Sequence, residues 1–342
     1  MDGMHGYEAA LEQLRKGTGV IIPVHVPAAV AGEQAAAMLR ETARSFCQVV
    51  ADPRRVCLSV DGEDCGAELA GQVAGECGAS VVVQPRNRGK LAGIVAGARH
   101  LLAAGGLGYL AAVDQDGDHF ANELLNFVRA AMHTESHART QRVLVLGRRL
   151  SRHRPMGLVR GEQEELADRV LLDALAYRAA VAGRPLRLEL ASVFDEFPDF
   201  HSGYKLFTAA CAADVFGGEP DLAGCDEACY WRHAVEVVLT VEAMERGAVL
   251  AVVNRSTINE QPLSIFGRLD RVRLVADMII WPCRRLGVPP AFVRQWLDNH
   301  LARLGLWTLA PAGKDELRAV RAAVLEAFGL KAEADPPQPM FL

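Results

Sequence analysis

The chain has 342 residues, half of them apolar, with 37 basic and 42 acidic side chains and a formal charge of −5. That length suits one large α/β domain with an appendage, or two domains, and the charge balance gives no electrostatic case for a nucleic-acid partner. Eight cysteines without a Cys-x-x-Cys pair point to reduced thiols in a cytosolic protein rather than a disulfide framework.

The N-terminus lacks a basic start followed by an apolar stretch, so no signal peptide is expected. No run approaches the roughly 20 apolar residues of a spanning helix. The nearest, Leu274 to Trp281, carries Asp277. A soluble protein is expected, with contact at a membrane surface left open.

Residues 7–16 read as a short amphipathic helix. Gly17 to Val24 follows as an apolar strand running into His25. Residues 30–50 are Ala-rich and helical in period. Arg55 to Val60 is a second strand, ending at Asp61-Gly62. A helix over 66–77 and a strand from Ser80 to Gln84 come next. Gly89 to Ala104 reads as a helix, Gly108 to Val113 as a strand, Asn122 to Met132 as a helix and Arg142 to Leu146 as a strand. This alternation predicts an α/β fold: a mostly parallel sheet with helices on both faces. In such sheets the ligand lies outside the carboxyl ends of the strands. His25, Asp61, Arg86, Asn87, Asp114 and Asp116 all fall at that end.

After the fifth strand comes a loop, residues 147–155, with four arginines and a histidine. Glu162 to Ala182 reads as a long helix, and Phe194 to Phe207 as a turn-rich segment. Residues 227–246 are helical in pattern, and Ala248 to Val253 is a strand. From Leu263 the pattern turns helical. Ile265, Leu269, Val272, Ala276 and Ile279 make one apolar stripe, suited to packing on the domain, to a homodimer contact, or to a membrane surface. Further helices are predicted from Pro289-Pro290 and over 314–330, before a Pro-rich end (336–339). Residues 1–264 thus read as one domain, 265–332 as a helical extension and 333–342 as a tail. Cys225 and Cys229 have helical spacing but no further ligands beside them, which favours ordinary thiols over a metal site.

The chemistry-bearing segments stand at the strand ends. In Asp114-Gln115-Asp116, two carboxylates one residue apart project the same way from a strand end. With Asp118 and His119 close behind, they form either a clamp for a metal and a diphosphate or a polar Asp/Gly turn. Oxygen ligands favour Mg²⁺ or Mn²⁺ over zinc. The clamp reading gives Asp114, Asp116 and His119 as ligands. Asn87-Arg88-Gly89-Lys90 opens an Ala/Gly-rich helix and suits an anion. It lacks the P-loop spacing, and no G-x-G-x-x-G follows the first strand. Asp199, ahead of a Gly turn with Tyr204 and Lys205, could serve as a general base, as could His201.

In order, these segments resemble those of family 2 inverting glycosyltransferases with the GT-A fold, and among them the dolichol- or polyprenol-phosphate sugar transferases. The resemblance rests on Val20-Ile-Ile-Pro23, Val60-Asp61-Gly62, Asn87-Arg-Gly-Lys90 with Ala92 and Gly97, Asp114 to His119, Leu146-Gly-Arg148, Asp199 to Phe207, and Glu236 with Gly247. It covers residues 17–264. It departs from the family at Pro23-Val-His-Val-Pro27, which lacks the usual Glu, and at Asn259 to Ser264, where the family's closing basic motif is degraded. What the resemblance implies is a metal-dependent transfer of sugar from a UDP- or GDP-linked donor to a hydroxyl or a lipid phosphate. Pro23, His25, Asp61, Asn87, Lys90, Asp114 and Gln115 would face the donor. Arg148, Arg149, Arg152 and Lys205 would face the acceptor or the phosphates. Asp116 and Asp199 would carry the catalysis. The alternatives are a nucleotidyltransferase acting on a sugar phosphate, and a non-catalytic sugar-nucleotide-binding protein.

Overall fold

The computed structural model describes residues 2–27, 32–191, 197–258, 270–332 and 335. Phe194, Leu263, Ile265, Leu269, the Asn259 to Ser264 segment and the Pro-rich end lie outside them.

Among the described residues, seven strands form one sheet: β1 (Thr18–Val24), β2 (Val56–Val60), β3 (Ser80–Val83), β4 (Tyr109–Ala112), β5 (Val143–Arg149), β6 (Lys205–Thr208) and β7 (Val249–Arg255). Their spatial order is β3-β2-β1-β4-β6-β5-β7. β6 runs antiparallel to both neighbours, and every other pairing is parallel. With helices on both faces and a helical C-terminal part, this is the mixed α/β architecture expected of a GT-A-like fold.

Period-two alternation divides each strand between two cores. Val20, Ile22 and Val24 of β1 enter one core with Val143 and Val145 of β5. Ile21, Leu144 and Leu146 enter the other. The first core is covered by α1 (Asp2–Gly17), α2 (Glu33–Val49), α3 (Ala67–Cys77) and α5 (Leu124–Ala138). The second is covered by α4 (Lys90–Ala104), α6 (His153–Val181), α7 (Ala209–Gly217), α8 (Val235–Glu245) and the C-terminal helices α9 (Arg271–Arg285), α10 (Pro290–Leu301), α11 (Gly305–Leu309) and α12 (Pro311–Ala327). Val320 and Val324 of α12 share that core with Leu144 and Phe207. The C-terminal helices therefore continue the main core. Ala276 and Ile279 of the apolar stripe are buried against it.

The structure departs from the sequence expectation in four places. The helix expected over 7–16 begins at Asp2. The basic loop is shorter, because β5 extends to Arg149 and α6 begins at His153. Gly157, at φ 75°, breaks the first turn of α6 from the rest. The segment before Phe207 contains β6, hidden from pattern reading because an all-buried Lys-Leu-Phe-Thr run has no alternation. Finally, the helix expected over 227–246 is interrupted by a π-helical turn, Cys229–His233.

Candidate active site

The chain leaves β1 towards β2 and β3 on one side, then returns to place β4 on the other. The carboxyl ends of β1 and β4 thus flank a topological switch point, where an open sheet parts to admit a ligand. His25 and Gln115 join across it. The His25 N–H donates to Gln115 Oε1 and Gln115 Nε2 donates to the His25 carbonyl, both at 3.0 Å. Burial pushes the His25 imidazole below its usual range, so it stands neutral. Asn87 Nδ2 lies 3.2 Å from its Nδ1. Pro23 is buried inside β1, paired with Ser59 of β2. It is a wall of the sheet, not a surface for a donor.

Asp61 ends β2 and is 3% exposed. Its carboxylate accepts the amides of Arg88 (2.9 Å) and Gly89 (2.6 Å). It therefore shapes the turn into α4, and both of its oxygens are engaged. Only glycine fits at 89. Its φ is 134°, and a Cβ there would lie 2.3 Å from the Trp231 carbonyl oxygen. Next in the chain, Lys90 Nζ reaches Asp114 Oδ1 (2.6 Å) and Glu236 Oε1 (2.7 Å). Burial alone would lower the Lys90 ammonium, but the two carboxylates override it and hold it well above the usual range. Burial likewise opposes ionisation of Asp114, and Lys90 prevails, keeping its carboxyl well below the usual range.

Asp116 is the exception in this cluster. Burial, with Asp114 beside it, pushes its carboxyl up to about 6. It is a half-buried acid at a strand end whose charge is not offset as that of Asp114 is. Asp118 is different again: buried, it pairs with Arg255 Nη1 at 3.0 Å and accepts the Ile258 amide at 2.8 Å. That tie fastens the acidic loop to the end of β7.

Among the described residues, no group of three His, Cys, Asp or Glu side chains is arranged to hold a metal ion. His119 does not complete one. Its Nδ1 accepts the Asp114 backbone N–H at 2.8 Å, and it stacks on Tyr204. Burial, reinforced by Arg255, holds it neutral, so the remaining proton sits on Nε2 and no lone pair is free there. His119 is a support for the loop. Asp114 and Asp116 alone suit a hard cation that draws its other ligands from a diphosphate. The Asp116 carboxyl, which accepts the Asp118 amide at 3.2 Å and has no ion-pair partner among the described residues, is the observation that fits such an ion.

The expected acceptor side is built otherwise than the sequence suggested. Asp199 is 1% exposed and gripped by Arg149, whose Nε and Nη2 donate at 2.8 and 2.5 Å and whose backbone amide donates at 3.0 Å. Although burial opposes ionisation, Arg149 holds the carboxyl far below the usual range. A carboxylate so weakly basic and so enclosed is not placed as a general base. Arg149 also pairs with Glu164 at 2.8 Å, which leaves it no free edge for a phosphate. Arg152 pairs with Asp168 at 2.9 Å and lies over the Phe197 ring. Arg148 donates to Asn254 Oδ1 at 2.8 Å. Lys205, fully buried, donates to the carbonyls of Phe200 (2.9 Å) and Ser202 (2.5 Å). It staples the 200–205 turn. His201, the other base candidate, has its Nδ1 2.6 Å from Asp168 Oδ1. A cleft of about 290 Å³ does open here, lined by Arg148, Ser151, Arg152, His153 and Phe197 among others.

Sequence reasoning singled out no site role for Trp231, Arg232 or Arg255. Arg232 Nη2 donates to the Asn87 carbonyl at 3.1 Å, and Arg88 lies 4.3 Å from the Trp231 ring centroid. Nothing in their local sequence marks them, since Asn87 and Arg88, and for Arg255 the carboxylate of Asp118, are more than 130 residues away.

No protein-family model matches the chain, and no curated protein matches it. Among solved structures, the chain is similar to S. aureus TarS 1-349, at 12% identity and a TM-score of 0.41, over 91% of this chain and 89% of that one.

Proposed function

We propose that this chain is an inverting glycosyltransferase that takes a sugar from a UDP- or GDP-linked donor at the β1/β4 crevice. One observation carries the reading. The carboxylates Asp114 and Asp116 stand one residue apart at the switch point, the first tied through Lys90 to Glu236 and the second held only by the Asp118 amide at 3.2 Å, with no ion-pair partner among the described residues. That asymmetry suits a diphosphate arriving with a cation. Asp114 and Asp116 would hold Mg²⁺ or Mn²⁺, which when bound neutralises charge on the departing diphosphate. Lys90 adds a fixed positive charge beside it. His25, Gln115 and Asn87 line the crevice on the donor side, and Asp61 acts by fixing the Asn87–Gly89 turn.

The acceptor is a hydroxyl or a lipid phosphate. The Arg149–Asp199 pair favours an acceptor that arrives already anionic, because a hydroxyl would need another base. Two copies meeting through the C-terminal helices, or contact with a membrane surface, remain separate proposals. Among the described residues no helix is long and apolar enough to cross a membrane.

Thermal shift tests the reading directly. UDP, GDP and their sugar conjugates are screened with and without Mn²⁺, since a ligand selective for the native state raises the melting temperature. At least one is expected to stabilise the wild type in an Mn²⁺-dependent way and to fail with Asp116→Ala. No shift with any of them, or an equal shift in the variant, would overturn it. Release of pyrophosphate instead of a nucleoside diphosphate would identify a nucleotidyltransferase.

A further inference from the structure

Helix α5 carries two imidazoles on its solvent side. His133 and His137 are both exposed, away from the face that buries Phe127, Ala131 and Thr134. Four residues apart, they stand one helical turn from each other. Their rings lie nearly parallel, with 16° between the planes and 5.8 Å between the centroids. Among the described residues, neither ring has a hydrogen bond or salt bridge to another side chain. The carboxylates nearby are engaged elsewhere. Glu135 accepts the Tyr109 hydroxyl at 2.7 Å. Glu189, close enough to His137 to interact with it, accepts Arg187 Nε at 2.6 Å. No third His, Cys, Asp or Glu joins the pair among the described residues, so the donor set is two imidazole nitrogens and solvent.

Two imidazoles one turn apart on a helix make a bidentate set for a borderline-soft divalent ion. Bonds of about 2.0 Å to a shared ion put the two nitrogens roughly 3 Å apart. The rings can meet that spacing by turning about χ2, which is a soft torsion in an exposed histidine. Nitrogen ligation selects Cu²⁺, Ni²⁺ or Zn²⁺ and passes over Mg²⁺ and Mn²⁺, which prefer oxygen. The pair therefore differs in kind from Asp114 and Asp116. Its place on the helix adds to the attraction, because His137 lies in the last turn of α5, where the unpaired carbonyls favour a cation. The intervening sequence withholds hydrolytic chemistry. A zinc-hydrolase helix places Glu directly after its first histidine. Here that position is Thr134, buried, with its hydroxyl donating to the Ala130 carbonyl at 2.7 Å. The pair can hold an ion but has no base beside it to activate bound water.

We propose that His133 and His137 form a two-imidazole site for a divalent ion of the Cu²⁺, Ni²⁺ and Zn²⁺ class, and that the ion staples the last turn of α5. Both protein ligands come from one turn, so a bound ion holds that turn closed. The turn ends at Arg139, in the left-handed region at φ 50°, whose N–H donates to the Glu135 carbonyl. The inference does not rest on sugar transfer.

The test uses the full chain with Ni²⁺ as the only added metal. Histidine labelling by diethylpyrocarbonate is read by peptide mass spectrometry, together with amide hydrogen exchange. His133 and His137 are expected to become protected together, at one Ni²⁺ concentration about ten-fold below that protecting His100, an exposed imidazole on α4. In His137→Ala, protection of His133 should need about ten-fold more Ni²⁺, and His133→Ala should do the same to His137. Exchange across residues 134–139 should slow several-fold with Ni²⁺ in the wild type and stay unchanged in either variant. Mg²⁺ should produce neither effect, and Asp116→Ala should keep both. Protection of His133 in His137→Ala at the wild-type concentration would reveal two independent imidazoles and overturn the site. Absence of protection at both positions would do the same, as would loss of both effects in Asp116→Ala. Joint protection with unaltered exchange would overturn the staple.

Discussion

Lys90 Nζ stands 2.6 Å from Asp114 Oδ1, and the same ammonium lies 2.7 Å from Glu236 Oε1. One cation thus bridges two acids brought together from the end of β4 and from α8, and α4 starts at the residue that supplies it. The arrangement ties the acidic strand end to the helix face behind it. Lys90→Met would leave both carboxylates without their cation. Breaking a half-buried pair in that way costs about 2 kcal/mol, less than a fully buried one because solvent screens it. Glu236→Gln leaves the Lys90–Asp114 pair in place and should cost about 1 kcal/mol. Urea unfolding measures both, and equal losses would mean that the Lys90–Asp114 contact adds nothing to stability.

Asp116 should trade stability for function. Its carboxyl is raised to about 6 in the folded protein, against about 3.9 when unfolded. A raised acid gives stability that is fully present below the unfolded value and is lost as pH rises through the folded one. Asp116→Asn mimics the protonated acid. It should match the wild type near pH 4 and exceed it by about 1 kcal/mol above pH 7, a figure discounted for solvent screening. Mn²⁺ should raise the melting temperature of the wild type and leave the variant unmoved. A variant less stable than wild type at pH 7.5 would contradict this account.

Asp199 carries the opposite expectation. It accepts three hydrogen bonds from Arg149, and its role is to hold β5 against the 199–205 turn. Asp199→Asn keeps the shape and removes the charge, leaving Arg149 with Glu164 alone. A loss of about 3 kcal/mol is expected. The pH profile of any turnover that survives at low temperature should keep its wild-type shape. A profile that loses its acid limb would restore Asp199 as a base.

The parts legible in the sequence were those whose signal is local. Apolar runs that stop at His25, Asp61, Gln84, Asp114, Leu146 and Val253 mark six of the seven strands, because strand ends and helix starts are marked by residues next to them. β6 was missed because Lys205 sits in a fully buried strand, where a charged residue argues for a loop. The Asn87–Lys90 turn was legible as a helix start, but its true brace is Asp61, 27 residues upstream of Arg88. Arg149 and Asp199 stand out in the sequence by their charge, but the structure pairs them with each other, since charge alone does not tell a ligand-binding arginine from one engaged 50 residues away. Trp231 and Arg232 left no mark at all, because only packing brings them to Gly89.

Lys205 offers the cleanest pH signature. Burial lowers its ammonium to about 8, against about 10.4 unfolded. Between those values the unfolded chain binds more protons than the folded one, so stability rises with pH. This contribution is fully present above the unfolded value and is lost as pH falls through 8, amounting to about 3 kcal/mol. The neutral amine still has two N–H groups for the two carbonyls it serves, Phe200 and Ser202. Deprotonation therefore removes a buried charge without breaking the staple. Tyrosines and cysteines titrate in the same range, but they cancel when wild type is compared with Lys205→Met. The stability difference between the two, followed by denaturant unfolding from pH 7.5 to 10.5, should climb in favour of the wild type. A flat difference would mean that the ammonium keeps its ordinary affinity for protons inside the fold.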